Sequence, residues 1–511
     1  MNPKKIISTA FATLTAMTAL AATDKPNIVL FLVDDMGWQD TSLPFADEAT
    51  PLNARYNTPN MERLAAQGVK FTSAYACAVS SPSRASLITG MNAARHRVTN
   101  WTLNYNTKTD ANDPLINIPD WNVNGVQPVE GIEHAAPATS FVKILKENGY
   151  HTIHCGKAHF GSLTTPSADP TTFGFDVNIA GHAAGGLASY LGEARYGHDA
   201  YGNTTSSFSI PDLEAYWDKD VFATEALTLE AIKALEQADN LGEDTPFFLY
   251  MAHYAVHVPI AADKRFIDKY TGLPEVEAAY ATLVEGMDKS LGDIMDYLEE
   301  TGKADNTIIL FMSDNGGLAK SPRAGEAGTQ NAPLRAGKGS ALEGGVREPM
   351  IVYWPGVTTA GTTVDDRVII EDFYPTILEM AGIGEYTTLQ TVDGVSFAPL
   401  LRGESADADR ALIWHSPNVW GETGDIHAMG YGATSSIRLG DYKLIYWYND
   451  GATQLYNVRE DIGESHDLAE ELPDVKAQLA SRLTQYLRSV DAQRPTFKAD
   501  GTTCPWPDGT L

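Results

Sequence analysis

Cysteine is scarce in this 511-residue chain, with Cys77, Cys155 and Cys504 the only three. An odd count so widely spaced builds no disulfide framework and supplies no zinc-type thiolate cluster. Cys77 and Cys155 read as small buried apolar residues. Positive charge is also in short supply. Lys and Arg total 37 against 66 Asp and Glu, for a net charge of −29. The chain therefore lacks the basic footprint that binding nucleic acid requires, and positive charge for any anionic ligand must be concentrated in a pocket. Beyond the N-terminus no apolar run reaches the roughly 20 residues of a membrane span. Internal repeats are absent as well.

What the N-terminus does have is Lys4-Lys5, an apolar, Thr- and Ala-rich run from Ile6 to about Leu20, and Ala19-Leu20-Ala21. This is the pattern of a removable secretory signal over residues 1–21, cleaved near Ala21, with no cysteine placed to take a lipid. A periplasmic or secreted protein is expected. The remaining length is enough for a large core and two or three domains.

Asn27 to Val33 is an uninterrupted apolar run, the pattern of a strand covered on both faces of a parallel sheet. It ends in Asp34-Asp35. A second run, Thr307 to Met312, leads in the same way into Ser313-Asp314-Asn315-Gly316-Gly317. Adjacent carboxylates at buried strand ends repel unless a cation or base lies between them. Hard oxygen donors without His or Cys suit Ca²⁺ or Mg²⁺ better than zinc. Two more strand-like runs, Tyr150–Cys155 and Pro246–Ala252, end near Lys157 and His159 and near His253 and His257. In open α/β sheets, ligands bind at the carboxyl ends of strands. Between these runs, helices are expected from Pro59 to Gly68, Ser140 to Gly149, Val221 to Gln237, Glu275 to Thr301 and Glu371 to Ala381. The fourth of these carries Leu283, Met287, Leu291, Ile294 and Leu298 at helical spacing. A strand is expected over Met350–Trp354.

The chain is organised around Cys77-Ala78-Val79-Ser80-Ser81-Pro82-Ser83-Arg84 and, further on, Thr89-Gly90. Pro82 suits a first helical position and Gly90 a helix stop, which puts Ser80 just before a helix N-terminus, where free N–H groups favour anions. Arg84 follows one turn on with a planar fork suited to a tetrahedral oxyanion.

Ser80-x-Pro82-Ser83-Arg84 with Thr89-Gly90 resembles the signature of the type I sulfatases, in its serine form. The resemblance runs in family order from residue 27 to about 460. It implies an alkaline phosphatase-like α/β fold, a large mixed or parallel sheet between helices, with a smaller C-terminal domain of antiparallel sheet and helix. It also implies that a radical maturase oxidises Ser80 to formylglycine, whose hydrated aldehyde attacks sulfur. Asp34, Asp35, Asp314 and Asn315, with residue 80, would bind Ca²⁺. Gly156-Lys157-Ala158-His159-Phe160-Gly161 matches the family's Gly-Lys-x-His-x-Gly, so Lys157 and His159 inherit active-site roles. By the same resemblance His257 protonates the leaving oxygen, Lys338 touches the sulfate, and Arg84 helps hold the sulfuryl oxygens.

The implied activity is hydrolysis of a sulfate monoester on a carbohydrate, released exo-fashion. The Gly181–Gly186 loop resembles that of bacterial sulfatases acting on galactose or N-acetylgalactosamine. This loop lies in a Gly-, Ala-, Thr- and Asp-rich insertion over residues 162–215, too long for a plain connection, and His182 within it is a candidate substrate contact. A catalytic domain over 22–403 and a C-terminal subdomain over 404–511 are expected. In the latter, strands are expected near 411–416, 434–439 and 441–448 and a last helix over 474–490. His415 and Trp420 could reach the pocket from there, while the tail after Arg494 reads as loosely structured. Two alternatives stay open: a phosphonate or phosphate ester hydrolase of the same superfamily, and a non-catalytic, calcium-dependent glycan-binding protein.

Overall fold

In the computed structural model, which describes residues 25–242, 245–421 and 426–511, the apolar runs form one mixed sheet. The expected signal segment, residues 1–21, lies outside the described residues. The strands are β1 (Asn27–Val33), β2 (Val69–Tyr75), β3 (His151–Gly156), β4 (Val177–Ile179), β5 (Phe247–Ala252), β6 (Thr307–Ser313), β7 (Arg347–Tyr353), β8 (Thr362–Val364) and β9 (Val368–Ile369). Their order is β8-β2-β7-β6-β1-β5-β3-β4, with β9 also on β2. The central block β6-β1-β5-β3 is parallel throughout. The antiparallel strand is β7, between β6 and β2. Four carboxyl ends therefore emerge side by side on one edge.

The uninterrupted apolar character of β1 follows from coverage on both faces. Val29, Phe31 and Val33 join a core built with helices α1 (Pro59–Gln67), α4 (Ala223–Asp239) and α5 (Glu275–Glu300). Ile28, Leu30 and Leu32 join the opposite core, with α2 (Ser80–Thr89), α3 (Phe141–Glu147) and α6 (Phe373–Met380). The expected stripe of α5, from Leu283 to Leu298, is buried along its whole length, each such side chain contributing roughly 1.5–3 kcal/mol. Helix α6 begins two residues later than expected because residues 370–372 form a 3₁₀ turn in front of it.

Helix α2 starts at Ser80, so Pro82 stands two residues inside it rather than at its first position. Its stop is as expected: Gly90 takes a left-handed conformation, φ 69°, and its N–H bonds to the Ser86 carbonyl at 2.8 Å. Such a φ is open to glycine at little steric cost. All ten residues of α2 are buried. Serines at 80, 81, 83 and 86 let it sit that deep without bulk.

The C-terminal region forms a separate four-stranded antiparallel sheet of β10 (Leu412–Ser416), β11 (Thr434–Leu439), β12 (Tyr442–Trp447) and β13 (Thr453–Asn457). Helix α7 (Pro473–Ser489) packs Leu479, Leu483 and Leu487 on Ile413, Ile437 and Leu444 of that sheet. The tail corrects the expectation of loose structure. Thr496–Phe497 pairs antiparallel with Ile116–Asn117, and Cys504 and Trp506 are buried, the indole lying 3.9 Å below the Arg494 guanidinium.

Candidate active site

The four adjacent strand ends deliver the polar residues together. Asp34 and Asp35 follow β1, Asp314 and Asn315 follow β6, Lys157 follows β3, and His257 lies five residues past β5. Asp35 (φ 62°) and His159 (φ 56°) both adopt left-handed backbone. Single strained positions of this kind concentrate at functional sites. Asp34, Asp35 and Asp314 present carboxylate oxygens within 4.8 Å of one another, all buried.

Residue 80 meets this group directly. Its Oγ lies 3.2 Å from Asp34 Oδ1 and 3.0 Å from Asn315 Oδ1, and Lys157 Nζ donates to it at 3.0 Å. Lys157 also donates to Asp34 Oδ1 at 2.7 Å. Lys338 Nζ lies 2.7 Å from Asp35 Oδ1 and 2.8 Å from Oδ2. Asn315 Nδ2 donates to Asp35 Oδ1 at 2.8 Å, which turns the amide oxygen toward Ser80.

The charges do not balance evenly. Burial pushes the Asp34 carboxyl up to about 8, with Lys157 opposing and Asp314 and Asp35 adding to the rise. Burial acts the same way on Asp35, but Lys338, His257 and Lys157 outweigh it and hold that group below its usual range. Arg84 and Lys157 likewise overcome burial at Asp314. Asp34 Oδ2 has no hydrogen-bond partner among the described residues. A hard divalent cation fits this all-oxygen set, since it would occupy the bare oxygen and let all three carboxylates ionise.

Arg84 is wholly buried and turned inward. Its Nε donates to Asp314 Oδ2 and its Nη1 to the Lys157 carbonyl, both at 2.8 Å. The guanidinium thus braces one acid of the site and the backbone of one lysine. His257 lies 3.7 Å through Nε2 from Asp35 Oδ2, and Nδ1 is 2.8 Å from the Val258 carbonyl. A carbonyl only accepts, so Nδ1 carries the proton and Nε2 faces the carboxylates. Burial, then Lys338, push this imidazole down to about 3.

His159 does not touch Ser80. Its Nε2 lies 2.9 Å from both Ser81 Oγ and the Thr102 carbonyl. Burial, then Lys157, hold it well below the ordinary histidine range. The Gly181–Gly186 loop covers both histidines. A Cβ on Gly185 would fall 2.1 Å from the His159 ring, and one on Gly186 would fall 3.0 Å from the His257 ring. Those glycines, Ser81 and Thr102 escaped sequence reasoning as site residues; the run Gly185-Gly186 was the available signal. Among the described residues the His182 ring makes no contact with this group, although its backbone carbonyl accepts the His159 N–H at 3.2 Å. Its ring lies 6.3 Å from that of Tyr254, its Nε2 is unpartnered among the described residues, and burial takes it down to about 4.

Trp420 leans on the lysine loop: Lys338 Nζ is 5.8 Å from its ring, and Gly339, at φ 86°, leaves the space the indole fills. His415 has both nitrogens occupied, Nδ1 at 2.8 Å from Ser435 Oγ and Nε2 at 3.0 Å from the Gln493 carbonyl. The two residues line, with Val79 and Pro82, a cavity of about 30 Å³, room for little more than a water.

A sheet with this strand order, helices on both faces and a separate antiparallel unit is the alkaline phosphatase-like architecture of sulfatases. Residues 26–383 match the Sulfatase family, and residues 338–493 match the family described as N-sulphoglucosamine sulphohydrolase, C-terminal. The chain belongs to the sulfatase family and is a sulfuric ester hydrolase. It is similar to a Formosa agariphila sulfatase, 31% identical over 96% of this chain and 94% of that protein. It is likewise similar to human N-acetylgalactosamine-6-sulfatase, 31% identical over 76% of this chain and 69% of that one. Among solved structures, Ps i-CgsB matches with a TM-score of 0.72 at 27% identity, covering 92% of this chain and 94% of that chain. The same protein has been solved in complex with k-i-k-neocarrahexaose.

Proposed function

We propose that the protein is an exported, periplasmic or secreted, exo-acting carbohydrate sulfatase that uses formylglycine made from Ser80 and a bound Ca²⁺ ion. The observation that carries this is the position of the Ser80 hydroxyl, at hydrogen-bond distance from Asp34, Asn315 and Lys157 together. Asp34, Asp35, Asp314 and Asn315 would hold the cation beside residue 80. The hydrated aldehyde supplies a nucleophile that can release sulfate by C–O cleavage, and the cation supplies positive charge at the sulfuryl oxygens. A radical maturase is the partner that this chemistry requires.

The chain's own residues do the rest. Lys157 and Lys338 offer ammonium groups on either side of the carboxylates, where they would neutralise a sulfate entering over Ser80. Arg84 fixes Asp314 and the Lys157 backbone. Asp314, whose carboxylate clusters with that of Asp34, the acid in contact with residue 80, would serve as the base that takes its proton. His257, oriented through Nδ1 by the Val258 carbonyl, would protonate the sugar oxygen from Nε2 as negative charge enters the site. His159, through Ser81, holds the turn that carries residue 80 and assists at the leaving-group side. Residues 22–403 form the catalytic domain and 404–511 the subdomain that brings Trp420 to the lysine loop.

A sulfated galactose or N-acetylgalactosamine is the favoured substrate. Support comes from the Gly181–Gly186 loop over both histidines, the similarity to human N-acetylgalactosamine-6-sulfatase and that to Ps i-CgsB, solved with a carrageenan oligosaccharide. His182 and Trp420 are the proposed sugar contacts, with His415 supporting the wall behind Trp420. Two measurements test the reading. The Ser80 peptide of active enzyme should be two hydrogens lighter than unmodified serine; fully active enzyme with plain serine would end the mechanism. On a panel of sulfated monosaccharides, turnover confined to glucosamine sulfates would overturn the sugar assignment.

A further inference from the structure

Among the buried ionic groups outside the site is one where the C-terminal sheet meets the catalytic body. Lys443, on β12, places Nζ 3.0 Å from Glu343 Oε1 and 3.0 Å from Glu464 Oε1. All three side chains are wholly buried. Glu464 Oε2 accepts the backbone N–H of Glu343 at 2.7 Å. From the opposite side, Tyr75 of β2 donates its hydroxyl to Glu343 Oε2 at 2.8 Å, and Arg347 Nη1 approaches the same oxygen at 3.3 Å. Arg438 of β11 in turn bonds to the Tyr75 hydroxyl.

What Glu343 carries makes this more than a domain clamp. It opens the short helix Glu343–Val346, and that turn braces the site backbone at three points. The Gly345 carbonyl accepts the N–H of Gly316, next to Asn315, at 3.1 Å. The Val346 carbonyl accepts the N–H of Ala76, at the start of the segment leading to Ser80, at 2.8 Å. Gly344 donates to the Arg335 carbonyl at 3.1 Å, closing the loop that bears Lys338. There is no slack in this packing: a Cβ on Gly316 would fall 1.9 Å from the Gly344 carbonyl oxygen. A shift of Glu343 must therefore be passed to the Asn315 turn.

We infer that Lys443 of the C-terminal sheet and Glu464 of the loop that follows its last strand are positioning residues for the cation site, acting through the Glu343–Val346 turn on Asn315 and Lys338. The inference rests on the reading of Asp34, Asp35, Asp314 and Asn315 as cation ligands. A buried charge left without its partner forces local rearrangement, and here the nearest backbone to rearrange is the one behind the ligands. Removing the ammonium should therefore loosen cation binding even though Lys443 touches no ligand.

The test uses the full chain stripped of divalent ions and titrated with terbium or calcium, with binding read by lanthanide luminescence and calorimetry. Lys443→Met should weaken cation affinity by about 10- to 100-fold, the range typical of lost outer support at a metal site. The double variant Lys443→Met/Glu464→Gln, which removes opposite charges together, should recover much of that loss. In matured enzyme, the same changes should lower kcat more than they raise KM. Cation affinity and kcat within twofold of wild type in a folded Lys443→Met protein, with only the melting temperature lowered, would overturn the inference. Should Lys443→Met not accumulate folded, Tyr75→Phe decides: weaker cation binding supports the inference and unchanged binding overturns it. Failure of the wild-type protein to bind either ion would instead sink the ligand assignment itself, and this inference with it.

Discussion

Lys157 covers one oxygen of Asp34, at 2.7 Å, and leaves the other bare in a fully buried pair. An ion pair so placed is satisfied on one side only. The proposed cation would lie on the second side, and its removal should then be felt in both stability and activity. Chelation should abolish sulfate release, and added Ca²⁺ should restore it. At about 100 times its Kd the ion should stabilise the folded state by about 2.7 kcal/mol, read as a rise in melting temperature. A melting temperature insensitive to chelator would refute the cage.

Replacing Ser80 by Ala should cost activity on the order of 10⁴- to 10⁶-fold, as loss of a nucleophile does. The fold should survive, because Ser80 supplies no backbone constraint that alanine lacks. Circular dichroism and thermal melting alongside kinetics check both halves of that expectation.

His257→Ala should slow hydrolysis of a sugar sulfate by about 10²- to 10⁴-fold, the usual worth of a positioned proton donor. A nitrophenyl sulfate, whose leaving group needs no proton, should be hydrolysed with a much smaller loss. Equal losses on the two substrates would remove His257 from the acid role.

Gly185→Ala introduces a methyl group 2.1 Å from the His159 ring. Either the ring or the loop must move, and a displacement near 1 Å at a reacting group can cost about 10²-fold. We expect a large fall in kcat with the melting temperature little changed. Unchanged kcat would show that the loop yields freely and does not hold the histidine.

Away from the site, Glu371 is buried with Oε1 accepting from Asn92 at 2.8 Å and Oε2 unpartnered among the described residues. Burial, then Asp372, raise its carboxyl to about 8 from 4.5. Between those values the folded protein keeps a proton that the unfolded chain gives up. Its contribution to stability is therefore complete below pH 4.5 and is lost as pH climbs to about 8. The melting temperature of Glu371→Gln should fall less than that of wild type between pH 5 and 8. Parallel curves would show that Glu371 is ionised throughout.

The strands that carry the site were legible because burial on both faces forces apolar residues at every position, as in β1 and β6, and a polar residue then marks the strand end without ambiguity. The meeting of Asp34 with Asp314 followed from that and from the carboxyl-edge rule for parallel sheets. The direction of Arg84 was not legible. Its fork looks free in the sequence, yet Nε and Nη1 are held by Asp314 and the Lys157 carbonyl. The tail misled for a different reason. Proline, glycine and charge after Arg494 give no local periodicity, and the order there comes from pairing with Ile116–Asn117, which no local pattern announces. Lys443 was equally silent, since a lysine in an alternating strand reads as a solvent-facing residue until its two buried partners are seen.

The two acidic turns that meet at the cage stand 279 residues apart along the chain, Asp35 N–H to Asp314 Oδ1. Contacts between segments so far apart in sequence raise the contact order, which slows folding. A chain that ends between residues 157 and 314 carries the Ser80 hydroxyl, Asp34, Asp35 and Lys157 but neither Asp314 nor Asn315, and under the proposed mechanism it should release no sulfate. On that reading, turnover in a cell extract leaves such truncated chains uncounted.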